Sequence, residues 1–339
     1  MTVNLQVGSP SHGPEAGAHP GSIVYPSTTA TTDGTAPTWC LMPTDTRLAD
    51  TDVFQRHRGR LFGIAYRMLG SVDDAEDVVQ ESWLRWHGAN PGEIRSPEAW
   101  LVSVTTRLAI DRLRRAATER EHYTGHWLPE PIATPAESPD RHTELNSDLS
   151  MAFLMLLERL APEERAALLL HDVFDAGYPE IAEVLDRTEV ACRQMVHRAR
   201  VRVRGDRVRY PVPAEAHRRL LEGFLAALRT EDQEAMLALV APDATWTSDG
   251  GGKVPSTRRI VRGAARVVRL VLGFERKTFR TLRHELAWIN GEPAIVTRGT
   301  GGVRFLTTAA TDGERLVAFY RILNPDKLRY VQGQAGSAP

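Results

Sequence analysis

The stretch GYPEIAEVLDRTEVACRQMVHRARVRVR, residues 177–204, decides the first half of the fold. It predicts a short helix with Ile181, Val184 and Leu185 at core spacing and Pro179 early, where its missing amide is tolerated. A brief turn ends at Thr188, a side chain suited to cap a second helix over 189–204. At about 100° per residue, Cys192, Val196, Ala199 and Val203 share one face of it. Arg193, Gln194, His197, Arg200 and Arg204 share another. A bracing helix, a tight turn and a second helix with a polar face make the plan of a helix-turn-helix, whose second helix enters the major groove of DNA. Arginine bonds a guanine edge through two donors, glutamine bonds adenine likewise, and further arginines grip phosphates. An amphipathic helix pair inside a bundle would show the same apolar spacing. The arginine face argues for DNA.

Seven arginines fall between Arg193 and Arg209 against one acid, Asp206, in a chain of 339 residues with net charge −1. Such a block suits a polyanion, although a solvated helix face would look alike where lysine stands only at 253, 277 and 327. Cys40 and Cys192 show no paired spacing, so neither a disulfide framework nor a structural zinc is expected, and Cys192 belongs to the core. His171 and His197 have no acidic or cysteine partner at ligand spacing and read as packing or phosphate contacts. No cofactor and no metal are expected. There is no basic residue before Arg47 and no long apolar run, which argues against a secretory leader or a membrane span and for a reducing cytoplasm.

Working outward, residues 1–50 are rich in small residues and proline and read as a disordered tail, with Met42 an alternative start. Residues 51–117 read as helical. One helix spans about Asp52–Leu69 and stops at Gly70, Ser71 caps the next, and a third covers Pro97–Arg115 after a loop with Pro91 and Gly92. Residues 118–145 carry Pro129, Pro131, Pro135 and Pro139 and read as a linker. Helices are expected again at Glu144–Leu160 and Pro162–His171, within a second helical segment over 146–209. After Pro211 and Pro213 the pattern becomes α+β. Helices near His217–Leu228 and Glu231–Leu239 precede the strands ATWTS, PAIVTRG, VRFLTTAA and RLVAFYRIL, with hairpin turns at Asn290-Gly291 and Asp312-Gly313. A second disordered tail is expected over 333–339.

The run DGGGK at 249–253 invites a phosphate-loop reading, which fails. That loop needs GxxxxGK followed by Ser or Thr, whereas Lys253 precedes Val254 and Pro255. A glycine-rich turn after a strand remains.

The segments SVDDAEDVVQESWLRW (71–86), SPEAWLVSVTTRLAIDRLRR (96–115), APEERAALLLHDVFDAGYPEIAEVL (161–185) and HRAR (197–200) resemble, in this order, the paired domains of bacterial extracytoplasmic-function sigma factors. The resemblance implies sigma region 2 over 51–117, region 4 over 146–209, and two partners, core RNA polymerase and promoter DNA. It assigns Asp77, Gln80 and Glu81 to the helix that docks on polymerase. It assigns the loop Ala89–Arg95 and the helix Trp100–Arg115 to promoter melting, with Arg107, Arg112, Arg114 and Arg115 on the strand. Arg112 and Arg114 could instead pair with Asp111 or other acids. The family often has asparagine where Arg107 stands, so base preference does not carry over. Thr188, Arg193, Gln194, His197 and Arg198 match the positions at the upstream element.

The segment 216–253 resembles the start of a SnoaL-like domain, the α+β cone shared with nuclear transport factor 2, which would span 214–332. A subgroup of these sigma factors carries such an extension together with WLPEP, DGGGK and NPDKL, and all three are present. The resemblance implies a multidomain protein, two all-α sigma domains followed by the cone, regulated in cis in place of a separate anti-sigma protein. The expected regulatory contacts are Trp127, Pro129 and Glu130, then Asp249, Gly250, Gly251, Gly252 and Lys253, then Asn324, Pro325, Asp326, Lys327 and Leu328. Cones of this kind also house enzymes, and Asp249, Lys253, His284 or Trp288 could line a cavity. No acid–base pair stands out, so catalysis is not expected. An unknown small ligand in the cone remains open. A repressor with a ligand-binding tail would need neither the docking nor the melting elements.

Overall fold

The structure, a computed structural model, describes residues 44–90, 94–134, 149–204, 212–278 and 282–332. The two expected tails up to residue 43 and from 333, Cys40, Pro91, Gly92, Pro135, Pro139, the expected helix start at Glu144 and Arg207 and Arg209 lie outside these residues.

Helices α1 (Thr44–Leu69), α2 (Val72–Gly88) and α3 (Pro97–Glu121) form the first helical domain. Gly70, at φ 66°, closes α1, and the Ser71 hydroxyl accepts the Asp74 N–H to cap α2. Asp73 and Asp74 fill the first turn, where the helix dipole favours acids. Two boundaries differ from expectation. α1 starts inside the segment read as a tail, and α3 runs past Arg115 into the segment read as a linker. Between Arg115 and Pro129 there is no proline, and Ala116, Ala117, Glu119 and Arg120 are strong helix formers.

Helices α4 (Met151–Leu157), α5 (Pro162–Asp172), α6 (Tyr178–Leu185) and α7 (Glu189–Arg204) follow. The α6–α7 turn is built as the sequence predicts. Asp186 takes a left-handed conformation, and the Thr188 hydroxyl accepts the Ala191 N–H at 3.2 Å. Cys192, Val196 and Ala199 are buried, while Arg193, Gln194 and His197 are exposed. A single apolar core runs through both helical domains, joining Leu61, Leu101 and Leu113 to Leu157, Leu168 and Val196. Burying side chains of this size is worth roughly 1.5–3 kcal/mol each, so the two domains are fastened together rather than tethered.

The last third is α8 (Ala214–Arg229), α9 (Gln233–Leu239), β1 (Val240–Asp249), β2 (Val261–Arg262), α10 (Ala264–Thr278), β3 (Arg283–Ile289), β4 (Glu292–Gly299), β5 (Gly302–Thr311), β6 (Leu316–Ile322) and α11 (Pro325–Gln332). The strands form one sheet in the order β2-β1-β6-β5-β4-β3, with β1 and β6 parallel and the other neighbours antiparallel. Trp246 lies opposite Phe319, and Phe224 of α8 packs on the latter at 5.2 Å between ring centres. Val267, Val268, Val271 and Leu272 of α10 join the same core. Asn290 (φ 55°) and Gly291 (φ 75°) both take the left-handed conformation that a two-residue hairpin turn demands. The β5–β6 connection is longer than expected, since the Asp312 carboxylate accepts the N–H groups of Glu314 and Arg315. Among the described residues, no helix is long and apolar enough to cross a membrane.

Candidate functional site

The segment 122–134, part of the expected linker that carries WLPEP, is a strap laid between the helical domains and the sheet. Leu128 is fully buried, and Ala133 bridges to Ile289. At its centre stands Asp249, the last residue of β1, with no exposed surface. One carboxylate oxygen accepts the Tyr123 hydroxyl at 2.6 Å and the Gly251 N–H at 2.9 Å. The other accepts the Leu128 N–H at 2.9 Å and the Lys327 ammonium at 2.7 Å. Lys327 is itself buried and also donates to the Leu128 carbonyl. Burial holds its pKa below the ordinary value, opposed by Asp249. Burial, with Asp249 beside it, pushes the Tyr123 phenol up.

The three short motifs therefore meet at one place. Asn324 donates to the Tyr123 hydroxyl at 3.0 Å. A side chain on Gly251 (φ 60°) would strike Asn324 at 2.3 Å, so the turn admits only glycine there. Lys253 and Asp326 pair at 2.5 Å on the exposed rim. Pro325 opens α11, and Leu328 is buried beside Leu128. The Lys253 and Val254 amides both bond to the Gly250 carbonyl, which leaves them no phosphate to bind. The Trp127 ring takes two cations, Arg120 at 3.5 Å and Lys327 at 4.2 Å from its centre. Arg120 also bonds Glu158 and the Leu69 carbonyl, each at 2.5 Å. Glu130 accepts the Val72 N–H at 2.7 Å, and its carbonyl accepts the Tyr66 hydroxyl at 2.5 Å. Its carboxyl pKa is raised, with burial the largest cause.

Asn290 completes the junction. Its side-chain amide donates to the Tyr66 hydroxyl at 2.9 Å and to the Leu149 carbonyl at 3.0 Å, while its oxygen accepts the Ile132 N–H at 2.7 Å. One turn residue thus binds the first helical domain, the strap and the entry to the second. Arg329 and Tyr330 of α11 both contact Asp73 at the start of α2. The sequence marked Asn290 only as a turn, and Tyr66, Arg120 and Tyr123 carried no signal. Their partners lie up to 224 positions away.

The residues assigned to polymerase and DNA divide into free and engaged. Asp77 and Gln80 are exposed on α2, and Glu81 pairs with Arg85 at 3.0 Å. Leu84, one turn on, is an exposed leucine on the same side. Arg107 is not free. Its guanidinium donates to the carbonyls of Val184 at 2.8 Å and Glu183 at 2.7 Å, at the C-terminal end of α6. Arg112 pairs with Asp74 and Glu119, and Arg114 with Asp111 and Glu163 of α5. Of the four, Arg115 alone bonds only within its own helix, to the Asp111 carbonyl. On α7, Arg193 pairs with Glu189 and lies over the Tyr178 ring, and Arg198 approaches Glu164 at 3.4 Å. Gln194 and His197 face outward.

The cone has an open cleft of about 570 Å³ lined by Arg229, Glu275 and His284. The sequence offered no acid–base pair, yet His284 stands 3.0 Å from Glu275 and 2.9 Å from the Thr297 hydroxyl. The two belong to different elements, α10 and β3, which only the fold brings together. Asp249 and Lys253 are spent in the junction and do not line this cleft. Among the described residues no group of His, Cys, Asp and Glu could hold a metal ion.

Sequence models of three families match this chain: Sigma-70 region 2 over residues 53–119, Sigma-70 region 4 over 150–203 and the SnoaL-like domain over 221–330. The ECF RNA polymerase sigma factor SigJ of Mycobacterium tuberculosis is 39% identical over 293 residues, covering 81% of this chain and 91% of the relative. A protein of the same organism described as a probable ECF RNA polymerase sigma factor, SigI, is 29% identical over 84% of this chain and 96% of its own length. The crystal structure of SigJ superposes with a TM-score of 0.67 at 37% identity, covering 82% of this chain and 98% of that one. The helix-turn-helix, the helical domain before it and the cone with its three motifs thus have one explanation: the chain belongs to the extracytoplasmic-function sigma factors with a SnoaL-like C-terminal domain, proteins that bind core RNA polymerase, recognise promoter DNA and are not enzymes.

Proposed function

We propose that the SnoaL-like domain controls this sigma factor in cis by holding its two DNA-reading domains closed. The observation that carries the reading is Asn290, whose one side chain bonds Tyr66, Ile132 and Leu149 together. The −35 and −10 elements are separate stretches of one duplex, whose bases succeed one another at roughly 3.4 Å along each strand. Arg107, assigned to the downstream element, is bonded directly to α6 of the upstream reader. Both elements cannot be read at once across that bond, so initiation requires the domains to part and the junction to open.

On this reading Asp77, Gln80 and Glu81 dock on polymerase, Arg193, Gln194, His197 and Arg198 read the upstream element beside Thr188, and Arg107, Arg112, Arg114 and Arg115 reach the melted strand after opening. No separate anti-sigma protein is required, and the site of action is the cytoplasm. Run-off transcription with purified core polymerase tests it, comparing the full chain with one ending near residue 210. The two should differ several-fold, and equal output would reduce the domain to a passenger. The cleft beside His284 and Glu275 favours an added small ligand that biases the closed form. Native mass spectrometry of protein from its own host would then show a bound mass that a His284→Ala variant lacks.

A further inference from the structure

We propose that the SnoaL-like domain carries a DNA-backbone contact of its own, on a surface formed by Arg258, Arg259, Arg262, Arg266 and Arg269. No acid occurs between Gly250 and Phe274. All five arginines are exposed, and none has an ion-pair partner among the described residues. Arg85 with Glu81, Arg193 with Glu189 and Arg276 with Glu231 show the local pairing that this surface lacks. A merely solvated face gains from interspersed acids, and this one has none.

Three of these cations stand on adjacent regular elements, Arg262 on β2 and Arg266 and Arg269 on α10. Arg266 and Arg269 lie one turn apart on α10, opposite the face that buries Val267 and Val271. Arg262 precedes them on β2, and Arg262, Arg266 and Arg315 line a common groove of about 530 Å³. Three acids, Asp243, Asp312 and Glu314, lie within three positions of its lining residues in the sequence. The Asp312 carboxylate is held by two backbone amides, and Asp243 has an interaction of its own. Exposed guanidinium groups without counter-charges suit phosphate, which they bind in forked pairs and which releases condensed cations when neutralised. A sigma factor works against DNA throughout initiation, which favours a duplex backbone over an acidic protein surface.

The test uses the full chain and a duplex DNA fragment, with affinity measured across a salt series. The triple variant Arg262→Gln, Arg266→Gln, Arg269→Gln should bind at least ~10-fold more weakly at low salt, and its log–log salt slope should fall by about 2–3 at roughly 0.9 per phosphate contact. Arg193→Gln serves as the control for the recognition helix, and circular dichroism checks folding. An unchanged affinity and slope would overturn the proposal. So would unchanged DNA binding with weakened binding to core polymerase, which would assign the surface to an acidic protein instead. A photo-crosslinker placed at position 266 in the holoenzyme gives an independent readout, with crosslinks to DNA expected and crosslinks to polymerase alone contradicting it.

Discussion

Asp249 and Lys327 face each other at 2.7 Å with side chains 0% and 6% exposed, and between them they hold the main chain of Leu128 through both its N–H and its carbonyl. Removing one member of a buried pair strands the other charge, at about 3–5 kcal/mol. Asp249→Ala should therefore destabilise the full chain by that amount in chemical denaturation. Asp249→Asn combined with Lys327→Met, which leaves no buried charge, should recover part of the loss. Equal and additive losses would show that the two groups do not act as a pair.

Asn290→Gly keeps the left-handed backbone of the turn and deletes only the side chain. The Ile132 N–H and the Leu149 carbonyl are then left without partners, at roughly 1–3 kcal/mol per buried group. Limited proteolysis should cut the strap faster in this variant while the sheet stays protected. Unchanged cleavage would remove Asn290 from the junction.

Gly70 sits at φ 66°, and a methyl group there would meet the Trp127 ring at 2.6 Å. Gly70→Ala combines backbone strain with displacement of the strap, for about 1–3 kcal/mol. Trp127 fluorescence should shift toward that of an exposed indole, and an unaltered spectrum with wild-type stability would contradict the packing.

His217 is buried, and burial lowers its pKa from 6.5 to about 4. Its pKa is depressed in the folded chain, so the unfolded chain takes up the proton first as pH falls. Stability from this group is complete above about 6.5 and is lost between there and about 4, by up to ~3 kcal/mol. His217→Phe should flatten the stability profile across that window.

Charge reversal at Asp77 and Glu81 should weaken association with core polymerase and leave DNA binding by α7 intact, while Arg193→Ala should do the opposite. Pull-down on core polymerase and binding to promoter DNA separate the two. A variant that lost both activities would indicate unfolding, not a lost contact.

The helix-turn-helix was legible because its determinants are local. The cap at Thr188, the left-handed Asp186 and the apolar repeat of α7 all lie within one short stretch. The turn at Asn290-Gly291 was legible for the same reason. The motifs WLPEP, DGGGK and NPDKL marked the junction but not its chemistry. The Asp249 carboxylate is satisfied by Tyr123 and Lys327, which are 126 and 78 positions away. The sequence read the strap as a linker with WLPEP as its anchor, and its prolines, which signal a helix break, say nothing about how deeply it is buried. Helices α10 and α11 and strand β3 were missed, although α10 carries a local apolar repeat in Val267, Val268, Val271 and Leu272. The bonds of Arg107 to the end of α6 and of Arg114 to Glu163 were not legible, because arginine looks the same in sequence whether it meets phosphate, a helix end or a distant acid.

The most direct measurement is run-off transcription with core polymerase, comparing the full-length wild type with full-length Asn290→Gly. If the junction holds the promoter readers closed, loosening it while keeping every domain should raise specific transcript several-fold at equal protein concentration. Equal or lower output from a folded Asn290→Gly chain would contradict the account.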